Sequence, residues 1–161
     1  MKNIDKLINE IAKKCEKKRY SLVTTESCTG GGIAYLITKH PECSAILERG
    51  YIVYSILSKE DVLGISSYSL QTFGAVSKEV SIEMAEKALE KSKAQISVAI
   101  TGIDENAITK NKIEKPGIVW IACAGIDKKT SAKKLLIKGN REIFCEEAII
   151  QSLKMLLDFI T

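Results

Sequence analysis

The sequence predicts an α/β protein: a three-layer α/β/α sandwich around a mixed sheet, in a single domain over residues 1–161. Three observations lead there. Amphipathic helical patterns alternate with short apolar runs along the whole chain. Two of those runs, 95–101 and 117–124, are almost continuously apolar, as expected of strands covered on both faces. A third, 20–25, passes through Glu26-Ser27-Cys28-Thr29-Gly30-Gly31-Gly32 directly into a helical pattern. At 161 residues the chain can bury a core without disulfide staples, and it carries no internal repeat or interdomain linker.

The first helix is expected over residues 3–18, where Ile4, Ile8, Ile11 and Cys15 recur at helical spacing with lysines opposite. Strand one follows at 20–25. The helix after the glycines should stop near His40-Pro41, because proline pushes the residue before it out of helical geometry. Residues 45–55 carry Ile46, Leu47, Tyr51, Ile52, Val53 and Tyr54 and read as one or two strands around Gly50. A short helix over 58–63 ends at Gly64, a residue suited to a left-handed helix end. Ser77 is placed to N-cap a long helix through Glu79, Met84, Ala85 and Leu89. Beyond the two buried strands, 131–138 alternates like an edge or half-buried strand. Asn140 caps a last helix whose core-facing stripe is Ile149, Ile150, Leu153, Leu156, Leu157 and Ile160.

A net charge of +4, with 45% apolar and 27% charged residues, is that of an ordinary soluble globular protein. The lysines are spread out or alternate with glutamates, and only 6% of residues are aromatic, so nucleic-acid binding is not indicated. Five cysteines, Cys15, Cys28, Cys43, Cys123 and Cys145, form no C-x-x-C pair and are odd in number. That argues against a disulfide framework or a metal site and for a reducing compartment. The charged N-terminus lacks the apolar core of a signal peptide, and no apolar run reaches the ~18 residues of a membrane span. The expectation is a cytoplasmic protein without membrane, metal or nucleic-acid partners.

Ligands of open α/β sheets bind beyond the carboxyl ends of the strands. Two strands here end in hydroxyl residues followed by glycine, at Ser27-Cys28-Thr29-Gly30 and at Ile100-Thr101-Gly102, which suggests one cleft. The first is either an anion cradle, with helix N-terminal amides around Thr29, Gly30 and Gly31, or a nucleophile's turn. A nucleophilic Ser27 needs a base. The only histidine, His40, lies at the far end of the following helix, roughly 15–20 Å away at 1.5 Å per residue, so a Ser-His-Asp triad is not expected. Lys59 is the remaining candidate base, with Tyr54 five residues before it; from spacing alone, Lys59 reads more readily as a solvated first-turn residue and Tyr54 as a core aromatic. Arg141 occupies a first helical turn, where the dipole disfavours a cation; recognition of a phosphate or carboxylate would explain it, and so would a surface ion pair. Cys28, near a helix N-terminus that would lower its pKa, is a second candidate nucleophile or else a small buried residue.

Six blocks, in order and across nearly the whole chain, resemble the C-terminal domain of the CinA family, the bacterial nicotinamide-nucleotide amidohydrolases of PncC type. They are Glu26-Ser27-Cys28-Thr29-Gly30-Gly31; Gly50-Tyr51-Ile52-Val53-Tyr54-Ser55 with Lys59 and Leu63-Gly64; Phe73-Gly74-Ala75-Val76-Ser77 with Glu79; Ile100-Thr101-Gly102-Ile103; Lys115-Pro116-Gly117-Ile118-Val119-Trp120; and Gly139-Asn140-Arg141-Glu142. The resemblance implies metal-independent hydrolysis of the carboxamide of nicotinamide mononucleotide to nicotinate mononucleotide and ammonia, without a cofactor. It implies Ser27 as nucleophile, Lys59 as its base and Tyr54 as proton-relay partner, with Thr29, Gly30, Gly31, Thr101 and Arg141 at the substrate. It also implies a stand-alone form of the domain and a homodimer; the alternative is a non-catalytic accessory domain that binds a nucleotide or a protein. The chain departs from the family pattern in three places. Residues 104–114 contain no glycine where the family has several, Ile56 stands for an asparagine, and Asn140 for an aspartate. The loop is therefore expected to meet substrate differently.

Overall fold

The computed structural model describes residues 2–104 and 115–161, the side chains of 2 and 3 excepted; the glycine-free loop expectation falls on 105–114, outside the described residues. Helix α1 (Lys2–Lys18) precedes strand β1 (Leu22–Glu26), helix α2 (Gly32–Thr38) and strand β2 (Leu47–Ile52). A one-turn helix α3 (Ile56–Ser58) widens into a π-helical turn over Lys59–Leu63, followed by α4 (Ser67–Phe73) and α5 (Lys78–Glu90). Strands β3 (Ile96–Gly102), β4 (Ile118–Gly125) and β5 (Lys128–Leu136) and helix α6 (Arg141–Ile160) complete the chain.

The sheet order is β2-β1-β3-β4-β5, with β1 parallel to β2 and β3, and β4 and β5 antiparallel additions, so the sheet is mixed as expected. Its residues alternate between two apolar layers. Leu22, Ile96, Val98, Ile100, Val119, Ile121 and Cys123 face α1, α2 and α6, where Ile8, Ile11, Ile33, Ile37, Phe144, Leu153 and Leu156 meet them. Val23, Ala99, Ala122 and Ala124 face the other way, against Leu63, Leu70, Val80, Met84 and Ala85. Small residues on that second face let α5 lie close, and the buried Ser97 hydroxyl donates to the Ala85 carbonyl at 2.7 Å. Burial of this kind on both faces is worth roughly 25 cal/mol per Å² of apolar surface, and it explains why the inner strands read as near-continuous apolar runs.

Most elements fall where the sequence places them. Ser77 caps α5 by accepting from Val80 N, and Asn140 caps α6 by accepting from Ile143 N. Gly64 closes the π turn at φ 75°. Of residues 45–55, only Leu47–Ile52 is strand, a single one that runs straight through Gly50 and follows a 3-10 turn at Ser44–Ile46. A Cβ there would come within 2.9 Å of Thr24 Oγ1 and 3.4 Å of Ala34 Cβ, so glycine lets α2 cross tightly over the strand. The short helix begins two residues early, at Ile56, because Ser55 accepts from Ser58 N. Helix α4 is the element the sequence did not announce. Its run Ser67-Tyr68-Ser69-Leu70-Gln71-Thr72-Phe73 buries only Ser69 and Leu70, too little for a visible stripe, and its start is fixed by the Ser66 cap and by Glu83 of α5, which accepts from Ser66 N. Among the described residues no helix is long and apolar enough to cross a membrane.

Candidate active site

Helix α2 leads from β1 to β2 on one side of it, and the α3–α5 segment leads from β2 back past β1 to β3 on the other. The strand order reverses between β1 and β3, the position at which parallel α/β sheets open a crevice at their carboxyl ends. Ser27 is the first residue past β1 and its N–H still donates to Ile100 O of β3 at 3.0 Å. Thr101 is the penultimate residue of β3. Both line one cleft of about 250 Å³, as the two hydroxyl-glycine strand ends suggested.

Lys59 reaches the same cleft from the other side. Its Nζ lies 3.0 Å from Ser27 Oγ, 2.7 Å from Val53 O and 3.4 Å from Tyr54 O, and the residue is 1% exposed. It is therefore no solvated first-turn residue. The π turn that begins at Lys59 spreads the backbone so that Lys59 O accepts from both Gly64 N and Ile65 N, which fixes the base of the side chain. Widened turns of this type recur at functional sites.

Tyr54 is not a core aromatic. It is 62% exposed, and its hydroxyl meets Arg141 Nη2 at 3.4 Å, while only its backbone carbonyl accepts from Lys59. Arg141, in the first turn of α6, donates through Nη1 to Asp104 Oδ2 at 2.7 Å and through Nη2 to Cys28 O at 3.1 Å. The hydrogen bond to Asp104 raises the Arg141 pKa further above its ordinary value, so the guanidinium stays charged. Thr101 donates to Ala75 O at 2.8 Å, which ties the β3 end to the segment before α5.

Thr29, Gly30 and Gly31 require a correction, because they do not line the cleft. The N-terminus of α2 is already filled by a carboxylate of the protein itself. Buried Glu26 accepts from Ile33 N and Ala34 N, both at 3.0 Å, and from Thr29 Oγ1 at 2.6 Å. Gly30 N donates to Ser27 O and Gly32 N to Thr29 O. With these donors spent on internal acceptors, the glycine turn shapes the path of the chain past Ser27, at φ 60° and 96° for Gly30 and Gly31, and the amides of Gly30, Gly32, Ile33 and Ala34 already have acceptors within the chain. Glu26 and Asp104 are thus two site residues that sequence reasoning missed. An acidic residue seven positions before a helix's first free amides was a usable signal for Glu26. For Asp104 the signal was an acid directly after a strand end, facing an arginine that otherwise lacked a reason to sit at a helix N-terminus.

Of the two readings of Cys28, the structure favours the small buried residue. Cys28 is 3% exposed, and burial pushes its thiol pKa up to about 12, with Cys145 adding to the rise and Arg141 and Lys59 opposing it. Desolvation outweighs any help from the helix, and a thiol in that state is a poor nucleophile at neutral pH. His40 pairs with Asp5 at 3.1 Å and is not part of the cleft wall. All five cysteines are free, and among the described residues no cluster of His, Cys, Asp or Glu could hold a metal.

The buried thiols carry a consequence for alkaline stability. Cys15 is raised to about 11 and Cys28 to about 12 from an ordinary 9.0. Above pH 9 the unfolded chain ionises these thiols and the folded chain does not, so their contribution is complete below pH 9 and is lost as pH rises toward 11 and 12. Urea midpoints should fall steadily over that interval, and Cys15→Ala with Cys28→Ala should flatten the fall; an identical slope in wild type and variant would contradict this.

The CinA C-terminal domain family matches residues 4–160. A nicotinamide-nucleotide amidohydrolase PncC of Enterobacter agglomerans is 36% identical over 157 residues, covering 97% of this chain and 94% of that protein. Other curated relatives are longer, and the chain spans about a third of their length. Among solved structures, the competence/damage inducible protein CihA from Agrobacterium tumefaciens has a TM-score of 0.90 at 30% identity, covering 99% of this chain and 96% of that one. A competence-damaged protein (CinA) superfamily protein from Enterobacter cloacae has a TM-score of 0.92 at 27% identity, covering 98% and 92%. With the fold, the cleft and a match over nearly every residue in agreement, this chain belongs to the CinA C-terminal domain family.

Proposed function

We propose that the protein is an amidohydrolase that converts nicotinamide mononucleotide to nicotinate mononucleotide and ammonia, with Ser27 as nucleophile and Lys59 as general base. The observation that carries this is the 3.0 Å contact between Lys59 Nζ and Ser27 Oγ in a site where Lys59 is 1% exposed. A serine and a base within hydrogen-bond reach at the mouth of a cleft are the minimal requirement for acyl transfer. A lysine takes the base role only as the neutral amine, and dry sites are where proteins keep one. Membership of a family that includes a nicotinamide-nucleotide amidohydrolase at 36% identity supports the substrate.

In the first half-reaction Lys59 Nζ takes the Ser27 proton as Oγ bonds to the carboxamide carbon. The carbonyl electron pair moves onto oxygen, and the oxyanion is met by the Cys28 amide, the first N–H after the nucleophile in the cleft wall. The intermediate collapses, the C–N bond breaks, and the Lys59 ammonium gives its proton to the departing nitrogen, which leaves as ammonia. In the second half Lys59 takes a proton from water, hydroxide adds to the acyl carbon, and the proton returns to Ser27 as the carboxylic acid is released and ionises to solvent. The direct Lys59–Ser27 contact makes a tyrosine relay unnecessary. Tyr54 instead presents its exposed phenol beside Arg141, where both meet the distal part of the substrate, and Thr101 shapes the floor. These steps draw only on the chain's own groups.

Incubation with nicotinamide mononucleotide should release ammonia and nicotinate mononucleotide in equal amounts; no product at high enzyme concentration would reject this substrate. The protein works as a homodimer in this proposal, with exposed Ile52, Leu57 and neighbouring Tyr54 and Ile56 offering apolar surface beside the cleft. A monomeric mass by light scattering at working concentration would remove that part.

A further inference from the structure

The cleft holds its own carboxylate where an anionic ligand would bind. Asp104 is 8% exposed and lines the cleft beside Arg141, with its Oδ2 at 2.7 Å from Nη1. The other terminal nitrogen of the guanidinium is engaged too, with Cys28 O at 3.1 Å and Tyr54 OH at 3.4 Å. A planar guanidinium binds a phosphate best through two parallel N–H donors on one edge. Here one of those donors is spent on a carboxylate and the other on a carbonyl. A dianionic group approaching Arg141 must displace Asp104 or sit beside its negative charge.

We propose that Asp104 is a specificity-determining residue, an internal occupant of the Arg141 anion subsite that competes with the phosphate of the ligand. The proposal rests on the amidohydrolase assignment for the identity of the ligand, though not for the competition itself. Asp104 pairs with Arg141 and weakens binding of ligands in proportion to the negative charge they bring to that end. The pair therefore narrows the preference for nicotinamide mononucleotide over its unphosphorylated riboside, and the phosphorylated substrate binds at the expense of the Asp104–Arg141 pair. The 48% exposed Arg141 side chain leaves the pair open to exchange without unfolding of either strand end.

The test separates this from the catalytic assignment by using inorganic phosphate as a first probe, read by calorimetry, and two amides as a second. Asp104→Asn removes the charge and keeps the shape. It should tighten inorganic phosphate about tenfold, the scale of a partly screened like-charge contact. It should also lower the ratio of KM for nicotinamide mononucleotide to KM for nicotinamide riboside by a similar factor, and Asp104→Glu should restore the wild-type ratio. If Asp104→Asn melts early, Asp104→Ser serves for the same two measurements. Tighter phosphate binding with no amide turnover would sustain the competition and reject the amidohydrolase assignment. Turnover with phosphate affinity and KM ratio unmoved by either substitution, or weakened phosphate binding, would overturn the role of Asp104.

Discussion

Ser27→Ala should reduce ammonia release from nicotinamide mononucleotide by at least about 10⁴-fold, the scale of losing a covalent nucleophile. The substitution removes one oxygen from a residue that is 6% exposed, and its effect on the fold is small. Ser27 N stays bonded to Ile100 O, and Glu26 still holds the end of α2. Ligand binding should survive, because Arg141, Tyr54 and Thr101 remain in the cleft wall. A variant that folds, binds and still turns over at more than a few per cent of wild type would show that Ser27 is not the nucleophile. Under an accessory, non-catalytic role the same substitution would change nothing measurable.

Lys59→Met should be nearly as damaging to turnover while leaving the protein folded. Loss of a general base costs roughly 10²–10⁴ in rate, and more where the nucleophile depends on it entirely. Two stability effects oppose one another. Methionine relieves the cost of burying an amine, whereas Val53 O loses its 2.7 Å partner, at about 1–3 kcal/mol for an unsatisfied buried group. The balance is small against the tenfold steps expected in rate. The decisive measurement is the double variant. If Ser27 and Lys59 act as one unit, Ser27→Ala with Lys59→Met should be no slower than the worse single variant; losses that multiply would mean that the two act independently.

The fold was legible because its elements declare themselves locally. Helices α1, α5 and α6 carry stripes or caps, and β3 and β4 are apolar on both faces because helices cover both faces. Helix α4 was hidden because its start is held by Ser66 and by Glu83, seventeen residues after that cap, which no local periodicity records. At the site, residue types were legible and their partners were not. Ser27, Lys59 and Arg141 stood out by position. That Lys59 is buried against Ser27 depends on a π turn, whose extra residue leaves no mark in composition. That the glycine turn faces inward depends on Glu26, which looks like any strand-end acid until its two amide partners are seen. For Cys28 the sequence leaves a nucleophile and a small buried residue both open, because nearness to a helix end is visible in sequence while the depth of burial that outweighs it is not.

The widened turn at Lys59 means that the site is written in a chain length as much as in its side chains. An α-helix advances about 100° per residue, so removing one residue from 60–62 would let the segment wind normally and swing Lys59 away from Ser27 with respect to the anchored Gly64 and Ile65. Every residue of the site would still be present, and a comparison of identities position by position would score it as intact. Spacing between Lys59 and Gly64 is therefore the feature to inspect first when deciding whether a relative of this chain has kept the same chemistry.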